Sequence, residues 1–324
     1  MDSALVKVDN VLAWDGLKRP FQETYQICLT DTASDWVLLL SFSTMAPADR
    51  TQPFEAKVRG VFWPRGGERQ VFEVSYPLDK YEIVHASHFF QMGSSYLSLA
   101  ECFGALDGLK WELTFEDPVV GFRPWPSLWG NRSFHKTQAS YPRLLNFVSG
   151  CFFVGHQKFE VKHHPIFQSH SWGQTVPWEL TEIVGQSFEE DSKAYFLGVW
   201  PRVRWGTRIS PLMPGMVLGV SEGDVISRFP LSAFNTRLEQ GEQSVRFYHK
   251  SFGRRIEGEI WLGETASDEI TLTDSYGQPY TDSCHLFSDL TIKIFEGSQS
   301  GWREVKRLTS SGKSWLRQVR RKAD

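Results

Sequence analysis

Read for alternation of apolar and polar positions, the chain breaks into short runs of period two. TYQICLT (24–30), DWVLLLSFS (35–43), FEAKVRGVFW (54–63), RQVFEVSY (69–76), YEIVHASHFFQM (81–92) and GLKWELTFE (108–116) follow one another early. FVGHQKFEVKHHPIFQSHSWG (153–173), KAYFLGVW (193–200), SVRFYHKS (244–251), RIEGEIWLGE (255–264) and DEITLTDS (268–275) repeat the pattern later. Runs of this length that collect apolar side chains on one face predict β-strands, and Gly66-Gly67 between two of them is a hairpin signal. Many short strands at this spacing predict an all-β fold of sandwiches or antiparallel barrels.

Three stretches break the alternation. PLSAFNTRLEQG (230–241) predicts one short helix, with Ser232 near its start and Gly241 past its end. GWREVKRLTSSGKSWLRQVRRKAD (301–324) sets Trp315, Leu316 and Val319 at helical spacing among Arg303, Lys306, Arg307, Lys313, Arg317, Arg320, Arg321 and Lys322. That predicts a basic amphipathic helix, either solvated or laid on an anionic membrane surface. DPVVGFRPWPSLWGNRSFHKTQASYPR (117–143) has no period, and Pro118, Pro124 and Pro126 bar a central strand. It reads as a crossover, functional or simply packed. The expected organisation is a β half over 1–140, a second over 141–300 and the tail at 301–324.

Composition narrows the function classes. Hydrophobic residues make 41% and charged residues 23% of the chain, which is globular. Thirteen Trp, 24 Phe and 9 Tyr bring aromatics to 14%, which suits a β-rich core or a cavity for a hydrophobic ligand. A net charge of −3 argues against nucleic acid as a partner. Cys28, Cys102, Cys151 and Cys284 are scattered with no C-x-x-C pair, so reduced thiols and a cytoplasmic setting are expected. The opening MDSALVKVDNVLAWDG has no long apolar block, and no run approaches a membrane-spanning length, so neither a secretory leader nor a span is expected. The tail leaves peripheral contact at the inner membrane surface as a further expectation.

Several chemistries lack their motif. G-x-G-x-x-G, the phosphate loop and the G-x-S-x-G elbow are absent. His156, His163, His164 and His170 cluster without zinc-ligand spacing, so no metal and no cofactor are expected. Two stretches remain. In RPFQETYQICL (19–29), Phe21, Glu23 and Tyr25 alternate onto one face, making Glu23 either a solvated charge or an acid in an apolar pocket. In SHSWGQTVPWE (169–179), His170 and Trp172 share a face, Gly173 allows a close approach or turn, and Pro177 ends pairing before Trp178. That run is either a pocket wall or a core corner.

Together the two stretches resemble the signatures of the tocopherol cyclases, P-F-F-E-G-W-Y and N-W-G-x-x-F-P-x-x-W. Pro20, Phe21 and Glu23 match the first, and Trp172, Gly173, Pro177 and Trp178 match the second. The wider lipocalin-like, AttH-type superfamily, with the carotenoid 1,2-hydratases and fungal Diels–Alderase-type cyclases, shares an H-x-W-G that His170, Trp172 and Gly173 reproduce. The resemblance implies two lipocalin-like β-barrel halves and cofactor-free, proton-initiated cyclisation or hydration of a hydrophobic prenyl-like or polyene molecule. It implies Glu23 as proton donor and His170 as proton relay or orienting group, both with Trp172 in the catalytic group. Phe21, Tyr25, Trp125, Trp129, Trp178 and Tyr195 would line the cavity. Departures are Thr24 for the signature glycine, Tyr25 for Trp, Val176 for Phe, and Leu197 where the carotenoid hydratases carry an acid after Tyr195. They leave the substrate open, with a lipid carrier or a barrel filled by its own aromatics as the competing expectations.

Overall fold

The computed structural model describes residues 13–31, 33, 35–77, 80–84, 89–116, 120–124, 137–205, 208–220, 227–229, 235–251, 253–263, 268–298 and 301–321. Every regular element among them is a strand. The chain divides into two compact units. The first gathers the described residues up to Arg123, those from 137 to Val176, and Thr273–Pro279; Pro124, Pro177–Leu272 and the residues from Tyr280 onward form the second.

The first sheet contains β1 (Phe21–Thr30), β2 (Trp36–Ala46), β3 (Glu55–Pro64), β4 (Gln70–Tyr76), β5 (Tyr81–Val84), β6 (Phe89–Met92), β7 (Ser95–Leu97), β8 (Glu101–Leu106), β9 (Leu109–Phe115), β10 (Val120–Phe122), β11 (Thr137–Val154) and β12 (Gln157–Gly173). Its order is β4-β3-β2-β1-β12-β11-β9-β8-β7-β6-β5, with β10 beside β11. The ends curl toward each other, β3 meeting β6 and β4 meeting β8, to give a nearly closed barrel. Alternation sets the interior: along β9, Leu109, Trp111, Leu113 and Phe115 are buried and the residues between them are exposed. Phe42, Trp111 and Phe152 fill the core beside Tyr25, Ile27 and Leu40.

The second sheet contains β13 (Glu179–Gly185), β14 (Tyr195–Arg202), β17 (Gly215–Gly219), β18 (Ser227–Phe229), β19 (Thr236–Gln240), β20 (Ser244–Ser251), β21 (Arg254–Trp261), β22 (Asp268–Thr273), β23 (Pro279–Ser298) and β24 (Gly301–Arg321), while β15 (Arg204–Trp205) and β16 (Arg208–Ile209) make a separate ribbon. The order is β18-β17-β14-β13-β24-β23-β21-β20-β19, with β22 beside β23.

Four expectations need correction. The tail is not a helix: residues 301–321 are β24, a long strand between β13 and β23. Two of its cations are answered within the second unit, Arg317 by Asp282 at 2.7 Å and Lys306 by Asp191 at 3.3 Å. Helical spacing of three apolar residues yields here to a ladder with β23 along the segment, joined by β13 over Trp315–Arg320, where those apolar residues lie. The helix expected over 230–241 is, in its described part, β19, held in register with β20 from Thr236↔His249 to Gln240↔Val245.

The crossover expected over 117–143 ends earlier than its prolines implied. β11 starts at Thr137, and Pro142 sits in the register shift between Ser140 and Arg143, where no ladder donor is needed. The boundary expected at 140 falls at Val176, because β11 and β12 pair with β9 and β1 of the first sheet. Residues 273–279 join the same unit, with Ser275 accepting from Ala48 N–H at 2.7 Å.

Candidate functional site

Glu23 and His170 meet on the inner face of the first sheet. β1 lies between β2 and β12, and its burial alternates so that Phe21, Glu23, Tyr25 and Ile27 point inward. On β12 the inward set near its end is Gln168, His170 and Trp172, and the register sets Tyr25 opposite His170 and Glu23 opposite Trp172. Gly173 closes β12 with φ +143°, a backbone conformation that side chains disfavour, which explains the glycine after the tryptophan.

The Glu23 carboxyl is 1% exposed and fully engaged. His170 Nε2 lies 2.8 Å from its Oε1, so the two groups share a proton position. Oε1 also accepts from Ala13 N–H at 2.8 Å and from the Tyr25 hydroxyl at 3.2 Å, and Oε2 accepts from Trp14 N–H at 3.1 Å. The chain entering β1 is therefore tied to the acid, and Trp14 is held over Phe54 with ring centroids 4.4 Å apart. His170 is sandwiched: Tyr25 stacks at 3.9 Å and 11°, and Trp172 at 4.4 Å and 27°. Burial holds the His170 ring below the ordinary histidine range; Glu23 pulls it upward, and the Arg123 charge adds to the depression. A neutral imidazole locked beside a carboxyl and two aromatic faces is an acid–base pair in an apolar setting.

Glu23, Tyr25, His170 and Trp172 are thus brought together, and Phe21 is buried one inward step away on β1. Trp178 and Tyr195 belong to the second unit. Trp178 is half-buried under Arg204, whose guanidinium lies 5.5 Å from its ring, and Tyr195 is buried on β14 beside Gly219. Trp125 and Trp129 lie outside the described residues.

The other histidines diverge. His163 is exposed, 2.7 Å from Glu116, and His164 faces Asp31 at 3.1 Å. Among the described residues no group of three or more His, Cys, Asp or Glu is arranged to hold a metal ion. The four cysteines are unbridged, and burial pushes the Cys102 thiol up to about 12. No helix among the described residues is long and apolar enough to cross a membrane.

Sequence reasoning missed two polar neighbours of the pair and a buried arginine on the same sheet. Thr44 on β2 is the register partner of Glu23, and Ser140 on β11 that of His170. Arg143, fully buried, donates from Nε to Gln168 at 3.0 Å, from Nη1 to Glu116 O at 3.3 Å and from Nη2 to Leu99 O. No local pattern marks them, since Ser140 and Arg143 lie in the aperiodic stretch and Thr44 looks like any strand threonine. A cavity of about 450 Å³ lies elsewhere, on the solvent side of the second sheet, lined by Arg237, Glu239, Arg246, Tyr248, Glu259 and Trp261 among others. It is a groove among paired charges (Arg246 to Glu259 at 2.7 Å) and shares no residue with the Glu23 site.

No protein-family model matches the chain, and no curated protein matches it. Two of the solved structures similar to it are informative. One is a Nitrosomonas europaea protein provisionally assigned as AttH, with a TM-score of 0.56 over 94% of this chain and 98% of that one, at 9% identity. The other is kievitone hydratase from Nectria haematococca, with a TM-score of 0.53 over 93% of this chain and 89% of that one, at 10% identity. The chain shares their fold. It consists, as expected, of two lipocalin-like β halves. At these identities the likeness concerns architecture, and function has to be argued from the site.

Proposed function

We propose that this chain is a cofactor-independent enzyme that protonates a carbon–carbon double bond of a hydrophobic, prenyl-like or polyene substrate and lets water or an internal nucleophile capture the cation. The observation that carries the reading is the buried Glu23–His170 pair at 2.8 Å, stacked between Tyr25 and Trp172 on the inner face of a barrel. In the proposed cycle the pair delivers its shared proton to one alkene carbon. The cation forming on the other carbon is stabilised by the faces of Tyr25 and Trp172. The captured nucleophile then returns its proton to the pair, so the enzyme ends as it began. Glu23, tied by two backbone N–H groups and a phenol, holds His170 in place and shares the proton with it. Kievitone hydratase, by its name a hydratase and a protein of the same fold, supports the hydration arm.

A carrier without catalysis is the second reading, favoured by one observation: Glu23 also anchors Ala13 and Trp14, a structural task that needs no chemistry. Turnover separates the two. Wild-type protein incubated in D2O with prenylated quinols and polyenes should yield a hydrated or cyclised product, or return substrate carrying solvent deuterium, and Glu23→Gln should suppress this. Binding of such compounds with no product and no deuterium uptake across the set would leave the carrier.

A further inference from the structure

The reaction just proposed leaves open what captures the cation. We propose that Ser140 is a positioning residue that holds the attacking water beside His170, which makes the site a hydrating one; this rests on the reading above.

Ser140 and His170 are direct register partners on β11 and β12, so their side chains leave the same face with Cβ atoms about 5 Å apart. Ser140 is fully buried, yet its hydroxyl has no hydrogen-bond partner among the described residues. The feature repeats on the other flank. Thr44, the register partner of Glu23, is 3% exposed and its hydroxyl is equally unpartnered. Among the described residues of the first unit three buried side-chain hydroxyls lack a partner, those of Thr44, Ser95 and Ser140, and two of the three adjoin the acid and the imidazole. Buried hydroxyls in proteins are almost always satisfied by protein or by ordered water. A pair of orphans bracketing a proton-transfer pair points to water held there, and a buried polar site is where ordered water is retained.

The chemistry follows. The Glu23–His170 pair gives its proton to one alkene carbon. The oxygen of the water held by Ser140 bonds to the adjacent cationic carbon, and the surplus proton of that water passes to His170, restoring the pair. One water is added across the double bond and nothing is oxidised or reduced. His170 suits the last step, because burial favours its neutral ring at neutral pH.

A prenylated quinol is the informative probe, since its cation can be captured by water to give a tertiary alcohol or by its own phenol to give a cyclic ether. The test is a crystal structure of the wild-type chain together with product ratios for wild type, Ser140→Ala and Ser140→Thr. The expected result is an ordered water within hydrogen-bond distance of Ser140 Oγ. The ratio of alcohol to cyclic ether should fall at least tenfold in Ser140→Ala and recover in Ser140→Thr, a shift that a merely destabilised protein would not show. No water on Ser140, or an unchanged ratio in Ser140→Ala, overturns the role of Ser140 while leaving the proton-initiated reading in place. Wild-type protein that gives neither product nor solvent deuterium in recovered substrate overturns both.

Discussion

Replacing Glu23 with Gln tests how firmly the acid is engaged by its neighbours. Oε1 makes three contacts, to Ala13 N–H, Tyr25 and His170, and Oε2 makes one, to Trp14 N–H. The amide oxygen of a glutamine keeps most bonds if it takes the Oε1 position, which turns its NH2 toward Trp14 N–H. One hydrogen bond to a carboxylate becomes a donor facing a donor. Losing a bond to a charged group costs about 1.5–3 kcal/mol, and leaving the buried Trp14 N–H unsatisfied adds about 1–3 kcal/mol. Relaxation of the entering segment recovers part of this, so the expected loss is roughly 2–4 kcal/mol. Urea unfolding of wild type and variant, compared at equal slope, measures it. Amide hydrogen exchange reports the site directly, with protection at Ala13 and Trp14 expected to fall. A change under about 0.5 kcal/mol, the size of an ordinary surface substitution, with protection at Trp14 intact, would refute the network.

Further outcomes follow from the same geometry. Tyr25→Phe keeps the stack on His170 but removes the 3.2 Å bond to Glu23, and should cost about 1 kcal/mol by urea unfolding; no loss would mean that the phenol does not donate to the acid. His170, His249 and His285 all sit below the usual value of 6.5, each chiefly through burial, His249 at about 4. The unfolded chain therefore takes up protons below pH 6.5 that the folded chain refuses, and stability should fall steadily from pH 7 toward pH 4.5; a urea midpoint that stays flat or rises over that window contradicts the assignment. Gly150→Ala places a Cβ 2.0 Å from Glu112 O at φ +143°, and should destabilise by more than about 1 kcal/mol in the same assay. A chain ending at residue 300 loses β24 from between β13 and β23, and should lack the second unit's cooperative unfolding by circular dichroism; wild-type unfolding would show β24 to be dispensable.

The candidate site is half legible in the sequence. Glu23 and Tyr25 on one face of one strand, and His170 and Trp172 on one face of another, follow from period two alone. Their resemblance to a known pair of signatures joins the two strands. The same resemblance groups Trp178 and Tyr195 with them, and the structure places both in the second unit. Thr44, Ser140 and the N–H groups of Ala13 and Trp14 are not visible in the sequence, because each matters only through what lies across a strand boundary.

By itself the sequence determined that this is a β protein, where many of its shorter strands run and which of their side chains share a face, since alternation is a property of neighbours along the chain. Pairing was decided only in three dimensions. The bond from His170 to Glu23 spans 147 positions, and no local pattern specifies which strand lies beside which. The tail shows the same limit from the other side. Residues 301–321 carry spacing compatible with a helix, and they become β24 because β23 offers a ladder along its length and β13 a second one over Trp315–Arg320. Backbone hydrogen bonds satisfied along one whole edge and part of the other outweigh the few tenths of a kcal/mol per residue by which propensity would favour the helix.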